Sequence, residues 1–284
     1  MAGATRPDNS PARGPVLPIL ADKETAKMRA ERRVFKEANV SGFAHMDQEV
    51  AFFTQVAALL RPDDIVLDFG AGRGEFYDDE PSRYRCWLQN FKGRCAHVDG
   101  CDVDPAIFRN ETLDEARLIE PGKPLPYEDD RFDIVVSRYV FEHVPDPEWA
   151  ARELLRVTRP GGWICVLTPN KWGYVAIAAQ LAPNALHARV LRRVQPDRKA
   201  EDVFPTVYRL NTPRAIRRHF GKGADIYHYS TSGVPSYHFG SALLLRLFLL
   251  LHRFLPRVLD VSMSFFIRKR LAANAGSGAQ GRGG

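Results

Sequence analysis

Short apolar runs alternate along the chain with longer stretches whose apolar positions recur every three to four residues. The runs Val66–Phe69, Ala96–Cys101, Phe132–Val136 and Trp163–Leu167 predict buried strands, because each is short and gives way to glycine, proline or polar residues. Helical periodicity marks Thr25–Ala38, which is strongly basic, and Asp47–Leu60, where Val50, Phe53 and Val56 form an apolar stripe. Trp149–Thr158 predicts a further helix. Its Leu154, Leu155 and Val157 would pack on a sheet, Arg152, Glu153 and Arg156 would face water, and a turn at Arg159-Pro160-Gly161-Gly162 would end it. Alternating strands and helices of this kind predict an α/β protein.

The first strand runs into Gly70-Ala71-Gly72-Arg73-Gly74. A loop with glycine at alternate positions can take up positive φ and let its backbone approach a ligand closely. The dinucleotide fingerprint G-x-G-x-x-G has one residue more between its last two glycines, and Asp68, two residues before Gly70, would repel a diphosphate. The loop suits an adenosyl cofactor that carries a positive amino group; a plain tight turn is the alternative. After the second strand, Asp102 is placed to accept hydrogen bonds from the hydroxyls of a ribose. Asp104, just before Pro105, is assigned to capping the helical turn that follows.

The glycine loop resembles motif I of the class I S-adenosylmethionine (SAM) methyltransferases. Leu125-Pro126-Tyr127, Phe132–Ser137 and Glu142-His143-Val144 are similar to the LPF, FDxVxS and EHV run of the small-molecule methyltransferases. Pro160-Gly161-Gly162 and Thr168-Pro169-Asn170 are similar to their PGG and TPN motifs. The likeness spans Ile65–Asn170. It implies a Rossmann-like, doubly wound, mostly parallel seven-stranded sheet with an antiparallel last strand. On that pattern Arg214–Phe220 is a helix, Ala224–Tyr229 a strand, and Met263–Lys269 the final strand.

For the cofactor, SAM, the resemblance implies contact with Asp68, Gly70, Ala71, Gly72 and Gly74 on the loop. Asp102, Val103 and Ser137 complete that set. Catalytic candidates are His143, Tyr139 and Asn170: His143 as general base, Tyr139 and Asn170 as groups that orient the acceptor, with Tyr174 a weaker one. For His143 the competing reading is that it and Glu142 hold together the turn after the strand. Asn170 is expected to project toward the acceptor.

Charge adds a direction. Residues 1–150 hold 19 basic and 28 acidic side chains, net −9, whereas residues 151–284 hold 21 and 6, net +15. The positive half would attract an anionic or lipid-linked small-molecule acceptor, and Arg189, Arg192, Arg193, Arg198 and Lys199 are its densest cluster. No nucleic-acid partner is expected. Cys86, Cys95, Cys101 and Cys165 include no C-x-x-C pair, which suits reduced thiols in a cytoplasmic protein and no metal site. The domain reading is a disordered tail over 1–21, helices over 22–62, a cofactor core over 63–170, acceptor-side insertion and final strands over 171–270, and a second tail over 271–284.

Gly240–Leu255 is the most apolar stretch and is too short and too interrupted by Arg246 and Arg253 to span a membrane. It is read first as a helix buried as a lid over the acceptor site, with Tyr174–Val194 as a partner segment. The alternative is a peripheral membrane contact with its arginines at headgroup level. The function these patterns predict is methyl transfer from SAM to a small molecule, with O-methylation of a saccharide or lipid-linked intermediate preferred. The alternatives are a non-catalytic SAM-binding module and, less favoured, an NAD-linked oxidoreductase.

Overall fold

Apolar side chains that alternate along the strands fall on opposite faces of one seven-stranded sheet, and each face is closed by helices. The computed structural model describes residues 25–74, 82–181, 205–235 and 237–271. Before the sheet come α1 (Ala26–Val34), α2 (Ala38–Ser41) and α3 (Gln48–Leu59). The first half of the sheet is β1 (Ile65–Phe69), β2 (His97–Asp102), β3 (Glu115–Leu118) and β4 (Phe132–Arg138), with α4 (Arg83–Gln89) between β1 and β2. Then follow α5 (Pro147–Val157), β5 (Thr158–Pro169), α6 (Tyr174–Leu181), α7 (Pro213–Phe220), β6 (Ala224–Thr231), α8 (Ala242–Phe254) and β7 (Ser262–Lys269).

The strand order is β3-β2-β1-β4-β5-β7-β6. Strands β1 to β5 are parallel, and β7 lies antiparallel to both β5 and β6, as the resemblance implies. Chain order reverses at β1, with β2 on one side and β4 on the other, so the carboxyl ends of these three strands form the crevice where open α/β sheets bind ligands.

Val66, Val98, Ile134 and Val136 meet Phe52, Phe53 and Val56 of α3 on one face. Leu67, Phe69, Val135 and Val166 meet Trp149, Leu154 and Val157 of α5 and Ile216 and Phe220 of α7 on the other. Each such side chain, when fully buried, contributes about 2 kcal/mol.

Helix starts follow the sequence closely. Asp47 accepts from the Glu49 and Val50 amides and Thr212 from that of Ala215, capping α3 and α7. Three expectations need correction. The basic N-terminal helix breaks at Phe35, whose side chain turns inward to join Ala38, Ala44 and Leu245. Glu153 is not on a water-facing surface: it is buried, its Oε2 accepts from the Leu125 amide and the Arg156 guanidinium, and Arg156 also donates to the Leu125 and Tyr127 carbonyls. That pair pins the Leu125-Pro126-Tyr127 loop to α5. Finally, Pro160-Gly161-Gly162 does not separate helix from strand but lies inside β5, where pairing jumps from Phe132–Thr158 to Ile134–Trp163. A Cβ on Gly162 would stand 2.8 Å from the Asp133 carbonyl oxygen, so only glycine fits the irregularity.

The expected lid is not buried. Helix α8 packs on α1 with Leu245 buried, while Leu243, Leu247, Leu250 and Phe254 are exposed. Among the described residues no helix is long and apolar enough to cross a membrane. The Arg189–Lys199 cluster, most of the two terminal tails and the part of Tyr174–Val194 beyond Leu181 lie outside the described residues.

Candidate functional site

Strand register brings the candidate residues to one level. Phe69 pairs with Cys101 and Asp68 with Val136, so Gly70 leaves the sheet beside Asp102 and Arg138. The loop then turns through Gly70 (φ +78°), Gly72 (φ +54°) and Gly74 (φ +73°), a left-handed conformation that glycine adopts without steric cost. A Cβ on Gly70 would lie 2.2 Å from Val140 Cγ2, and one on Gly74 would lie 2.5 Å from Asn110 Oδ1.

The protein itself holds this loop open. The Gly70 and Ala71 amides donate to the Cys101 carbonyl at 2.8 and 3.2 Å. Asp102 Oδ2 accepts from the Gly72 amide at 2.8 Å, and its Oδ1 accepts from the Asp104 amide at 2.9 Å. Burial raises the Asp102 pKa, opposed by those two N–H donors. A carboxylate offers about four acceptor positions, so Asp102 retains capacity for a vicinal diol. Asp104 caps its turn as expected, accepting from the Ala106 amide. From the far side, Asn110 Nδ2 donates to the Ala71 and Gly72 carbonyls at 3.2 and 3.3 Å, and its Oδ1 accepts from Thr112. Sequence reasoning missed Asn110. Its partners are 38 and 39 residues away, so no local spacing marks it.

Around this loop, Asp68 is half-buried and Val103 is exposed. Ser137, at the carboxyl end of β4, is fully buried and its Oγ has no hydrogen-bond partner. A buried hydroxyl left in that state at a strand end is suited to a ligand.

The next two residues face α3. Arg138 and Arg85 both pair with Glu49 Oε2, at 3.3 and 3.2 Å. Burial would raise the Glu49 pKa, but the two guanidiniums outweigh it and hold the carboxyl below its ordinary range. Tyr139 takes a left-handed conformation (φ 58°), and its hydroxyl accepts from Gln48 Nε2 at 2.8 Å. Burial pushes the phenol pKa upward, so the hydroxyl keeps its proton at neutral pH and can still donate. Gln48 and Glu49 are further residues that the sequence did not single out.

His143 sits in a tied turn. Its Nδ1 lies 2.9 Å from the Pro205 carbonyl and its Nε2 3.9 Å from Glu142 Oε1. Glu142 accepts from Thr168 through its side chain and from the Val207 and Tyr208 amides through its carbonyl. Asn170 does not project toward an acceptor. Its Nδ2 donates to the Val258 and Asp260 carbonyls at 2.9 and 2.8 Å, and its Oδ1 accepts from the Trp172 amide. With both ends of the amide engaged, it fastens the end of β5 to the start of β7. Tyr174 is likewise engaged, by His252 at 2.7 Å.

One grouping of metal-ligand type, His97, Asp99 and Glu115, lies on the β2–β3 side among the described residues. Arg131 pairs with Asp99 and Arg117 with Glu115, each at 2.8 Å, so both carboxylates are already neutralised.

Comparison with known proteins adds three findings. The family described as methyltransferase domain matches residues 43–218. Uncharacterised methyltransferases of Mycobacterium sp. strain JLS and strain KMS are 47% and 49% identical over 110 residues, 38% of this chain and 39% of theirs. The chain thus spans well under half the length of these curated relatives. A solved SAM-dependent methyltransferase from Methanosarcina mazei aligns over 77% of this chain and 98% of its own, with 18% identity and a TM-score of 0.47.

Proposed function

Because this chain belongs to the family of methyltransferase domains, we propose that it transfers the methyl group of SAM to a small-molecule acceptor, with a hydroxyl of a saccharide or lipid-linked intermediate as the preferred target. The observation that carries the reading is the bend at Gly70, Gly72 and Gly74, held open from one side by Cys101 and Asp102 and from the other by Asn110. The residues present fit the cofactor: the cradle is one that a Cβ would fill, and the buried Ser137 hydroxyl beside it lacks a partner. Family membership sets aside the dehydrogenase alternative.

When bound, SAM supplies a methyl group already activated by its sulfonium. The chain's task is therefore mainly to position and to exclude water. Asp68 and the Gly70 carbonyl would take the ammonium end of the cofactor, since the Gly70 amide is spent on Cys101. Asp102 would take the ribose with its remaining acceptor positions, and Val103 offers exposed apolar surface to a base. Ser137 Oγ would border the transferred group. Tyr139, protonated and fixed by Gln48, would donate to the acceptor oxygen.

Arg138 is neutralised by Glu49, so an anionic acceptor would rely on the positive charge that residues 151–284 carry in excess. In this reading His143 tethers the segment at Pro205, and the proton of an acceptor hydroxyl is released to bulk solvent as the methyl group is transferred. Incubation with methyl-labelled SAM and fractionated lipid and sugar-nucleotide extracts tests the proposal. Label in either fraction supports it; label in neither, with SAM bound but not consumed, points to a non-catalytic binding module.

A further inference from the structure

Helix α8 is apolar on two opposite sides. Leu245 is buried against α1, in a cluster with Phe35, Ala38 and Ala44. At about 100° per residue, Leu243, Leu247, Leu250 and Phe254 point away from that contact, within about 40° of the direction opposite Leu245. All four are exposed, Phe254 by 75% and Leu243 by 67%. Arg246 and Arg253 lie about a quarter-turn round, on one flank between the packed side and the exposed side. Val258 and Arg257, just past the helix, are exposed too and extend the same combination.

Along the helix itself the charge has one sign. Gly240–Leu259 contains no acidic residue. Asp260, the next one, is engaged by the Ser230 and Ser232 hydroxyls. Arg29, Arg32 and Arg33 of α1, on which α8 rests, and Lys36 just past it line an open groove of about 280 Å³. Its Glu31 faces His238, at 3.4 Å.

We propose that the outward face of α8 docks on the surface of an anionic phospholipid bilayer, with Leu247, Leu250 and Phe254 among the acyl chains and Arg246 and Arg253 at the phosphate level. A row of leucines flanked by arginines and lacking acids is the arrangement that an interfacial helix requires. The observation that selects a bilayer over other occupants is charge. A second copy would set Arg246 and Arg253 against their own counterparts, and residues 182–204 of this chain, with five cations and three acids, carry like charge. Anionic headgroups supply the missing sign. The proposal goes beyond methyl transfer and does not depend on it, because its readout is binding.

Co-sedimentation of the full chain with vesicles of equal parts phosphatidylglycerol and phosphatidylcholine tests it, with phosphatidylcholine alone as control. The expected result is binding to the anionic vesicles only, weakened by salt. Partitioning should fall about fivefold for each of Arg246→Gln and Arg253→Gln, and more than about tenfold for the pair Leu250→Glu and Phe254→Glu. These positions are exposed, and an unchanged circular dichroism melt checks that each variant folds.

The indole introduced by Phe254→Trp should emit as a water-exposed group in solution and shift to the blue on vesicles. Failure to bind anionic vesicles at low salt, or undiminished binding by the glutamate pair, overturns the proposal. So does an indole already in an apolar setting before vesicles are added, which would mean that a second copy or residues 182–204 cover the helix.

Discussion

Gln48 donates a hydrogen bond to the Tyr139 hydroxyl across 2.8 Å, joining the first turn of α3 to the left-handed residue at the end of β4. The bond links two segments that are 91 residues apart and fixes the position of a side chain at the mouth of the crevice. Tyr139→Phe removes the acceptor and leaves the Gln48 amide short of a partner. Urea unfolding should show a loss of about 1 kcal/mol, and the KM for the acceptor should rise more than that for SAM. An unchanged acceptor KM would remove Tyr139 from the positioning role.

Gly70→Ala should weaken cofactor binding by about tenfold, because the left-handed φ costs an L-residue about 1 kcal/mol and the new Cβ meets Val140. The companion Val140→Ala relieves the contact but not the backbone cost. The double variant should therefore recover part of the affinity and no more. Full recovery would show that the conformation of the bend is unimportant.

His143→Gln separates the tether from the base. With Nδ1 on the Pro205 carbonyl, the imidazole is placed to hold the segment leading to Tyr208. The melting temperature should drop while kcat stays within about threefold and its pH profile keeps its shape. A general base would instead cost about a hundredfold or more and abolish the acidic limb.

The bend and the acid at the end of β2 were legible in the sequence because each is written in contiguous residues, Gly70–Gly74 and Asp102 and Asp104 before Pro105, whereas the antiparallel last strand over Met263–Lys269 was implied by the resemblance alone. Glu153 and Asn170 misled for the opposite reason. Glu153 sits at helical spacing from Arg156, which reads as an exposed pair, but its burial is decided by the Leu125 amide 28 residues earlier. The carbonyls that engage Asn170 belong to Val258 and Asp260, 88 and 90 residues later. Composition likewise could not tell which side of α8 is packed, since leucines occupy both.

Acid stability should report the Glu49 cluster. The folded pKa of Glu49 lies below its ordinary 4.5, so its stabilising contribution is fully present above that value and is lost as pH falls through the folded pKa. Glu49→Gln leaves Arg85 and Arg138 without that partner. It should cost about 2 kcal/mol at neutral pH, and the acid limb of the stability profile should become shallower. An equally steep limb in the variant would assign the acid sensitivity elsewhere.

The central claim is that the bend between β1 and β2 holds the adenosyl cofactor. Calorimetric titration of S-adenosylhomocysteine, the demethylated product, into the intact chain addresses it directly. A single saturable site is predicted, weakened more than about tenfold by Asp102→Ala through the loss of charge-assisted hydrogen bonds, and weakened also by Asn110→Ala, with both variants folded. No binding by the unaltered chain, or binding indifferent to both substitutions, would contradict the account.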